Sequence, residues 1–171
     1  MTYTDEERAE LLDYVERFSE ILVAGGMQRM SARLFTYVLA DDTVSYTAAE
    51  LAEGLDISLA AVSGAVRDLT MAGLLAKGRR PGTRADVYQL NEDDIWGTIF
   101  LNRTPFLDRY RALAVEGAKT LPPGPGRERL RQTADFMDFW LHELEAVRER
   151  WEVYRSERRA AGRERGSGSE A

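Results

Sequence analysis

The chain has 171 residues, a formal net charge of −6, no cysteine and a single histidine, His142. That length supports one or two small domains with a real core. The missing cysteines exclude disulfides and thiol catalysis, and one histidine leaves little but carboxylates to hold a metal, so no metal or cofactor is expected. No apolar run approaches the ~18 residues of a membrane span and the N-terminal stretch is acidic, unlike a signal peptide, so a cytoplasmic location is expected.

Residues 1–26 read as one amphipathic helix. Thr4 and Glu7 form a capping box, Asp5 and Glu6 suit the positive helix end, and Gly25-Gly26 stops the helix. Leu11, Leu12, Tyr14, Val15, Phe18, Ile21 and Leu22 make an apolar stripe broader than one neighbour requires, so this helix is expected to pack against a second copy as well as its own chain.

Residues 27–91 form the next unit. A helix from Gln28 to Leu39 turns Met30, Leu34, Tyr37 and Val38 inward, and Arg29 and Arg33 near its start are either structural or phosphate-facing. Val44 to Tyr46 is a candidate short strand. Thr47 caps a helix carrying Leu51, Ala52 and Leu55, which Gly54 and Asp56 end. Ser58 caps the following helix, whose Leu59, Val62, Val66 and Leu69 recur at spacings of three and four and define a buried face. The opposite face carries Ala60, Ser63, Gly64, Arg67 and Met71, a low-relief surface with one guanidinium. Gly73 ends the helix; Leu74–Lys77 and Val87–Leu90 are strand-like and 79–84 is the turn between them, with Pro81-Gly82 at its tip. Helix, turn, helix and ribbon together are a winged helix-turn-helix pattern, in which a smooth helix face can enter a DNA groove and an arginine can reach a guanine edge or a phosphate.

Residues 92–120 read as a linking helix starting at Asp93, capped by Asn91 or Glu92, with Thr104-Pro105 kinking it. Residues 121–126, LPPGPG, are a Pro/Gly hinge. Residues 127–159 carry a heptad: Leu130, Met137, Leu144 and Trp151 at one core position, Thr133, Trp140, Val147 and Tyr154 at the other. At 1.5 Å per residue that helix is about 50 Å long, more than a domain of this size covers alone, so Leu130, Met137, Leu144, Val147, Trp151 and Tyr154 are expected to form a homodimer interface. Residues 160–171 lack apolar content and read as a disordered tail. The predicted fold is therefore mainly α with a small β-wing, a winged helix-turn-helix domain plus N- and C-terminal dimerisation helices.

Charge is unevenly distributed. From Ser58 to Asn91 five basic residues (Arg67, Lys77, Arg79, Arg80, Arg84) face two acidic ones, a local +3 on an acidic chain. Because salt screens charges beyond ~8 Å, such a local stripe is compatible with duplex binding.

The segments QRMSARLFTYVLA (Gln28–Ala40), AAELAEGLDIS, AAVSGAVRDL and GLLAKGRRPGTRADVYQL resemble the MarR-type winged-helix regulators, nearest the branch that includes the glycine-betaine-synthesis repressors. The resemblance implies a homodimeric repressor that binds a near-palindromic duplex, with Ser58, Ser63, Arg67, Lys77, Arg79 and Arg80 at the DNA and Arg84 near the wing tip in the minor groove. The usual wing order of Asp before Arg is reversed here as Arg84-Ala85-Asp86, leaving Asp86 open to Arg84, Arg79 or Arg67. It also implies a small-molecule effector; Phe18, Trp96, Phe100, Tyr110 and Trp140 could hold a quaternary ammonium by cation–π attraction, or else are core aromatics. Enzyme motifs are absent: there is no phosphate loop and no nucleophile elbow. The alternative reading is a winged-helix interaction or scaffold module without DNA binding, kept open because Leu59, Ala60 and Ala61 give the first turn no polar base reader.

Overall fold

The computed structural model describes residues 3–80, 82–91, 94–101 and 104–167, with side chains described to 161. The chain divides into two units, Met1–Thr98 and Ile99–Ala171. Among the described residues no helix is long and apolar enough to cross a membrane, and no group of three His, Cys, Asp or Glu could hold a metal ion.

The first unit holds α1 (Asp5–Ala24), α2 (Arg29–Ala40), β1 (Tyr46–Thr47), α3 (Ala48–Leu55), α4 (Leu59–Met71), β2 (Leu75–Arg79), β3 (Asp86–Leu90) and the start of α5 (Ile95–Leu101). Its antiparallel sheet has the order β1-β3-β2, with Tyr46 opposite Tyr88 and Lys77 opposite Tyr88 on the other side. This is the winged-helix fold expected from the sequence. Leu34, Phe35, Leu51, Leu55, Val62 and Leu69 are all but fully buried and form the core in which α2, α3 and α4 meet. The Thr4–Glu7 capping box of α1 is present as read, and a second box, Thr47 with Glu50, opens α3. In both, two otherwise orphaned amide donors are satisfied reciprocally.

Local chemistry departs from the sequence reading in four places. Leu59 is 59% exposed, in the first turn of α4, and Ala65 joins Val62, Val66 and Leu69 on the buried face instead. Gly54 does not break α3 but lies inside it; Asp56, with φ of 52°, supplies the left-handed cap. Gly54 is small for another reason, because an added Cβ would sit 2.7 Å from Cζ of Tyr37. The first strand is Tyr46–Thr47, and Val44, 79% exposed, stands outside it. The cap of α5 is Asp94, whose Oδ1 accepts from the Gly97 amide at 3.0 Å, while Asn91 donates to the Gly73 carbonyl at 3.1 Å. Glu92 and Asp93, read as cap and helix start, lie outside the described residues, as does Pro81 of the turn.

Over the stretch expected to be one kinked helix, the described residues form α5, Ile95–Leu101, and α6 (Thr104–Thr120), and residues 102 and 103 lie outside the described residues. The turn at 121–124 folds α7 (Pro125–Ser167) back along α6. Ala114 and Ala134 are buried, and Gly117 admits Leu130, whose Cδ1 would be 2.8 Å from a Cβ there. Arg111 pairs with Asp138, and Arg148 donates to the Leu101 carbonyl at 3.0 Å. α7 begins two residues before the expected Arg127 and continues to Ser167, where a disordered tail from Ala160 was expected. The tail positions 168–171 lie outside the described residues.

A Gly→Ala change inside a helix ordinarily gains about 1 kcal/mol, but at Gly54 the methyl collides with Tyr37. Gly54→Ala is expected to lower stability by about 1 kcal/mol net, a fall in Tm of about 2–4 °C, and to become stabilising when Tyr37 is first replaced by alanine. Thermal melts of the four proteins of that cycle check the sign.

Candidate nucleic-acid interface

Ser58 opens α4 by accepting the Ala61 amide on its Oγ at 3.2 Å, so its hydroxyl oxygen is engaged in capping. From there the outer face of α4 runs through Ser63, exposed, to Arg67, whose side chain is 73% exposed and whose nearest carboxylate is the adjacent Asp68 at 3.5 Å. Across from this face stands the β2–β3 ribbon. Between them lies a groove of about 360 Å³, with Ser63, Arg67, Thr70 and Met71 on the helix side and Lys77 and Tyr88 on the ribbon side. Three of the predicted DNA contacts, Ser63, Arg67 and Lys77, therefore share one groove. Tyr88 was not foreseen; the only signal was strand alternation, which puts it beside Lys77 in the pairing register.

The ribbon sorts its cations. Lys77 is paired to Asp86 at 2.7 Å, a diagonal cross-strand pair, and that hydrogen bond with its charge raises the lysine further above its ordinary range. This answers the question of what Asp86 braces: it is Lys77, and not Arg84, Arg79 or Arg67. Arg80 is turned away from the tip and makes two hydrogen bonds of 2.8 Å to both oxygens of Glu50 on α3. Arg80 was expected beside phosphates; in this arrangement its donors are taken by a carboxylate. Arg79 and Arg84 are exposed at the ribbon end, and among the described residues neither has a salt-bridge partner. The turn is held by the Thr83 amide donating to the Arg80 carbonyl at 3.2 Å, with Gly82 at φ of 76°, where only glycine is unstrained.

Of the two arginines on α2, Arg33 is structural: its Nε donates to Glu16 Oε1 at 2.6 Å with only 19% of its side chain exposed, fastening α2 to α1. Arg29 is exposed.

The aromatic residues considered for an effector fall in both units. Phe18 and Trp96 meet edge-on at 6.4 Å, and Trp96 also meets Phe35 edge-on, which is core packing within the first unit. Phe100, Tyr110 and Trp140 belong to the second unit and are 62%, 51% and 43% exposed, with Tyr110 against Phe106 at 5.3 Å.

Glu50 is the functional residue that the sequence reading missed, although T-x-x-E before an apolar run announces it. Its Oε2 also accepts the Thr47 amide at 2.6 Å. The Arg80 hydrogen bonds, then the Thr47 amide, hold its carboxyl down at about 2, from an ordinary 4.5. A carboxylate with a depressed folded-state pKa contributes stability that is fully present above 4.5 and is lost as pH falls through about 2. In Glu50→Gln the cap geometry survives and the charge does not, so the Tm deficit of that variant is expected to be constant above pH 4.5 and to vanish towards pH 2. Melts across that range check it.

With this geometry in view, comparison with known proteins is informative. The family of MmpR5-like MarR family transcriptional regulators matches residues 94–154, which are the α5–α7 helices and not the ribbon. A crystal structure of a transcriptional regulator superposes with a TM-score of 0.73 at 20% identity, covering 84% of this chain and 99% of that one. A possible transcriptional regulator from Methanosarcina mazei Go1 gives 0.44 at 12% identity, over 64% of this chain and 88% of that one. No curated protein matches in sequence. The chain shares its winged-helix fold with that transcriptional regulator, and over residues 94–154 it is similar to the MmpR5-like MarR family.

Proposed function

We propose that this protein is a homodimeric, sequence-specific double-stranded DNA-binding regulator, a cytoplasmic repressor of the MarR type and not an enzyme. One observation carries the reading. The low-relief face of α4, with Ser63 and Arg67, and the ribbon, with Lys77, border a single groove, and Arg79 and Arg84 stand exposed at the ribbon end. Arg67 is placed for a major-groove edge or phosphate, and Arg84 for the minor groove. Asp86 positions Lys77 for a phosphate, and Arg80 acts at the DNA only once it leaves Glu50. The resemblance of residues 28–90 to the glycine-betaine-synthesis branch supports this reading, and Phe18, Trp96, Phe100, Tyr110 and Trp140 are the candidate contacts of a small-molecule effector.

Dimerisation supplies the specificity that a sparse recognition helix lacks. Two such helices related by a two-fold axis fall ~34 Å apart, one turn of DNA. On α7 the two heptad positions divide. Leu130, Met137 and Leu144 are covered or partly covered, Trp151 is half-buried and stacked on Tyr154, and Trp140, Val147 and Tyr154 are exposed. On α1, Tyr14 and Ile21 are 41% and 68% exposed. These faces need covering, and a second copy supplies the complementary stripe.

The interaction-module reading draws on Met71 and Leu59, 81% and 59% exposed on α4. Duplex titrations at several salt concentrations separate the two. A regulator gives a steep fall of log affinity with log salt, about −0.9 per phosphate contacted, and Arg67→Ala and Arg84→Ala each cost about 1–3 kcal/mol. A flat salt response, or an unimpaired double variant, would favour the module. Sedimentation is expected to give a dimer that Trp140→Glu with Tyr154→Glu converts to monomer; a wild-type monomer at micromolar concentration contradicts the dimer.

A further inference from the structure

Arg80 sits one residue beyond β2, beside the exposed Arg79, yet its charge is directed away from the ribbon end. Its backbone is pinned at the base of the turn. The amide donates to the Ala85 carbonyl at 3.1 Å, and the carbonyl accepts from the Thr83 amide and the Thr83 hydroxyl, each at 3.2 Å. Only the side chain can change direction. It points to α3, where both ends of the guanidinium meet Glu50 at 2.8 Å. Glu50 is not an ordinary surface acid. Its Oε2 accepts the Thr47 amide at 2.6 Å, and its own amide donates to Thr47 Oγ1 at 3.2 Å. The cap of α3 therefore holds the carboxylate in place whether or not Arg80 is on it. Both side chains are partly exposed, so a third group can reach the pair from solvent.

We infer that Glu50 is a specificity-determining residue that acts without touching DNA, by withholding Arg80 from the phosphates of any duplex that α4 has not already seated. The inference rests on the DNA-binding reading of the α4–ribbon groove. Its basis is competition for one guanidinium. A carboxylate held by two parallel N–H donors occupies the same fork that a phosphate would take. A phosphate that draws Arg80 away gains one charge-assisted contact and breaks an equivalent one. It is also left beside a carboxylate that the cap prevents from retreating, and like charges at that range repel. For a duplex held only by its charge the exchange brings no gain, so Arg80 adds nothing to non-specific attraction. A duplex whose base edges hold α4 in register has already delivered its backbone to the ribbon. The ordering cost is then met by the other contacts, and Arg80 can cross to the phosphate.

The probe is a short mixed-sequence duplex, titrated into the full-length protein at several salt concentrations. Glu50→Gln is expected to bind it about threefold tighter than wild type at low salt, with a slope of log affinity against log salt steeper by about 0.9, the mark of one added phosphate contact. Glu53→Gln removes a like charge from an exposed position of the same helix, leaves the pair intact, and is expected to keep the wild-type slope. Arg80→Ala is expected to leave the slope unchanged in the wild-type background and to abolish the added increment in the Glu50→Gln background. A Glu50→Gln protein with wild-type affinity and slope overturns the inference. So does a Glu53→Gln protein that reproduces the gain, or an Arg80→Ala change that lowers the slope equally in both backgrounds. Where wild type binds the duplex and Arg67→Ala weakens it, those outcomes fall on the role of Glu50 alone. If none of the proteins binds the duplex even at low salt, the DNA-binding reading fails and the inference fails with it.

Discussion

The junction at Thr47 and Glu50 is what the rest of the first unit depends on. Thr47 closes β1 and pairs with Val87 of the central strand, while its side chain caps α3. Three residues on, Glu50 returns the cap with one oxygen and grips Arg80 of the ribbon with both. A single turn of chain therefore fixes where the sheet meets the helices and how the ribbon is set against α4. Exposed ion pairs usually contribute little because two long side chains must be ordered. This one is less costly to order, since the backbone cap already immobilises the carboxylate that the arginine meets.

That arrangement has a consequence for charge. The cations of the ribbon are not equivalent: Lys77 is braced by Asp86, Arg80 is held by Glu50, and Arg79 and Arg84 stand outward. A duplex would meet the outward pair first and would have to displace Glu50 to gain Arg80. The carboxylates thus trim non-specific attraction on a protein that is already acidic overall. Placing the remaining positive charge at the ribbon end and along one helix face concentrates it where a groove can be reached.

The second unit shows a comparable division of labour along a helix. At 43 residues, α7 is about 65 Å long, far longer than α6, which it doubles back on. Small residues at the α6–α7 seam, Ala114, Gly117 and Ala134, bring the two axes close. The large aromatic groups, Phe136, Phe139, Trp140 and Tyr154, are left on the outside. Residues 94–154, where the similarity to MmpR5-like regulators falls, are these same helices.

Much of this was legible from residue order alone, because it depends on interactions within a few residues. Capping boxes, the apolar spacing of α1, α2 and α4, the Pro/Gly break and the alternation of the ribbon are local, and they specify element types and the winged-helix order. Leu59 misled because spacing locates a face but not how far a neighbour covers it, and Gly54 because a breaker and a close-packing glycine look alike in sequence. What only the tertiary structure decided is which side chains meet across long separations: Arg80 with Glu50, Asp86 with Lys77, Arg33 with Glu16, Tyr3 and Tyr46 with Asp41. Those pairings are set by how the helices and strands dock, and docking is governed by burial of the whole core, to which no single local signal corresponds.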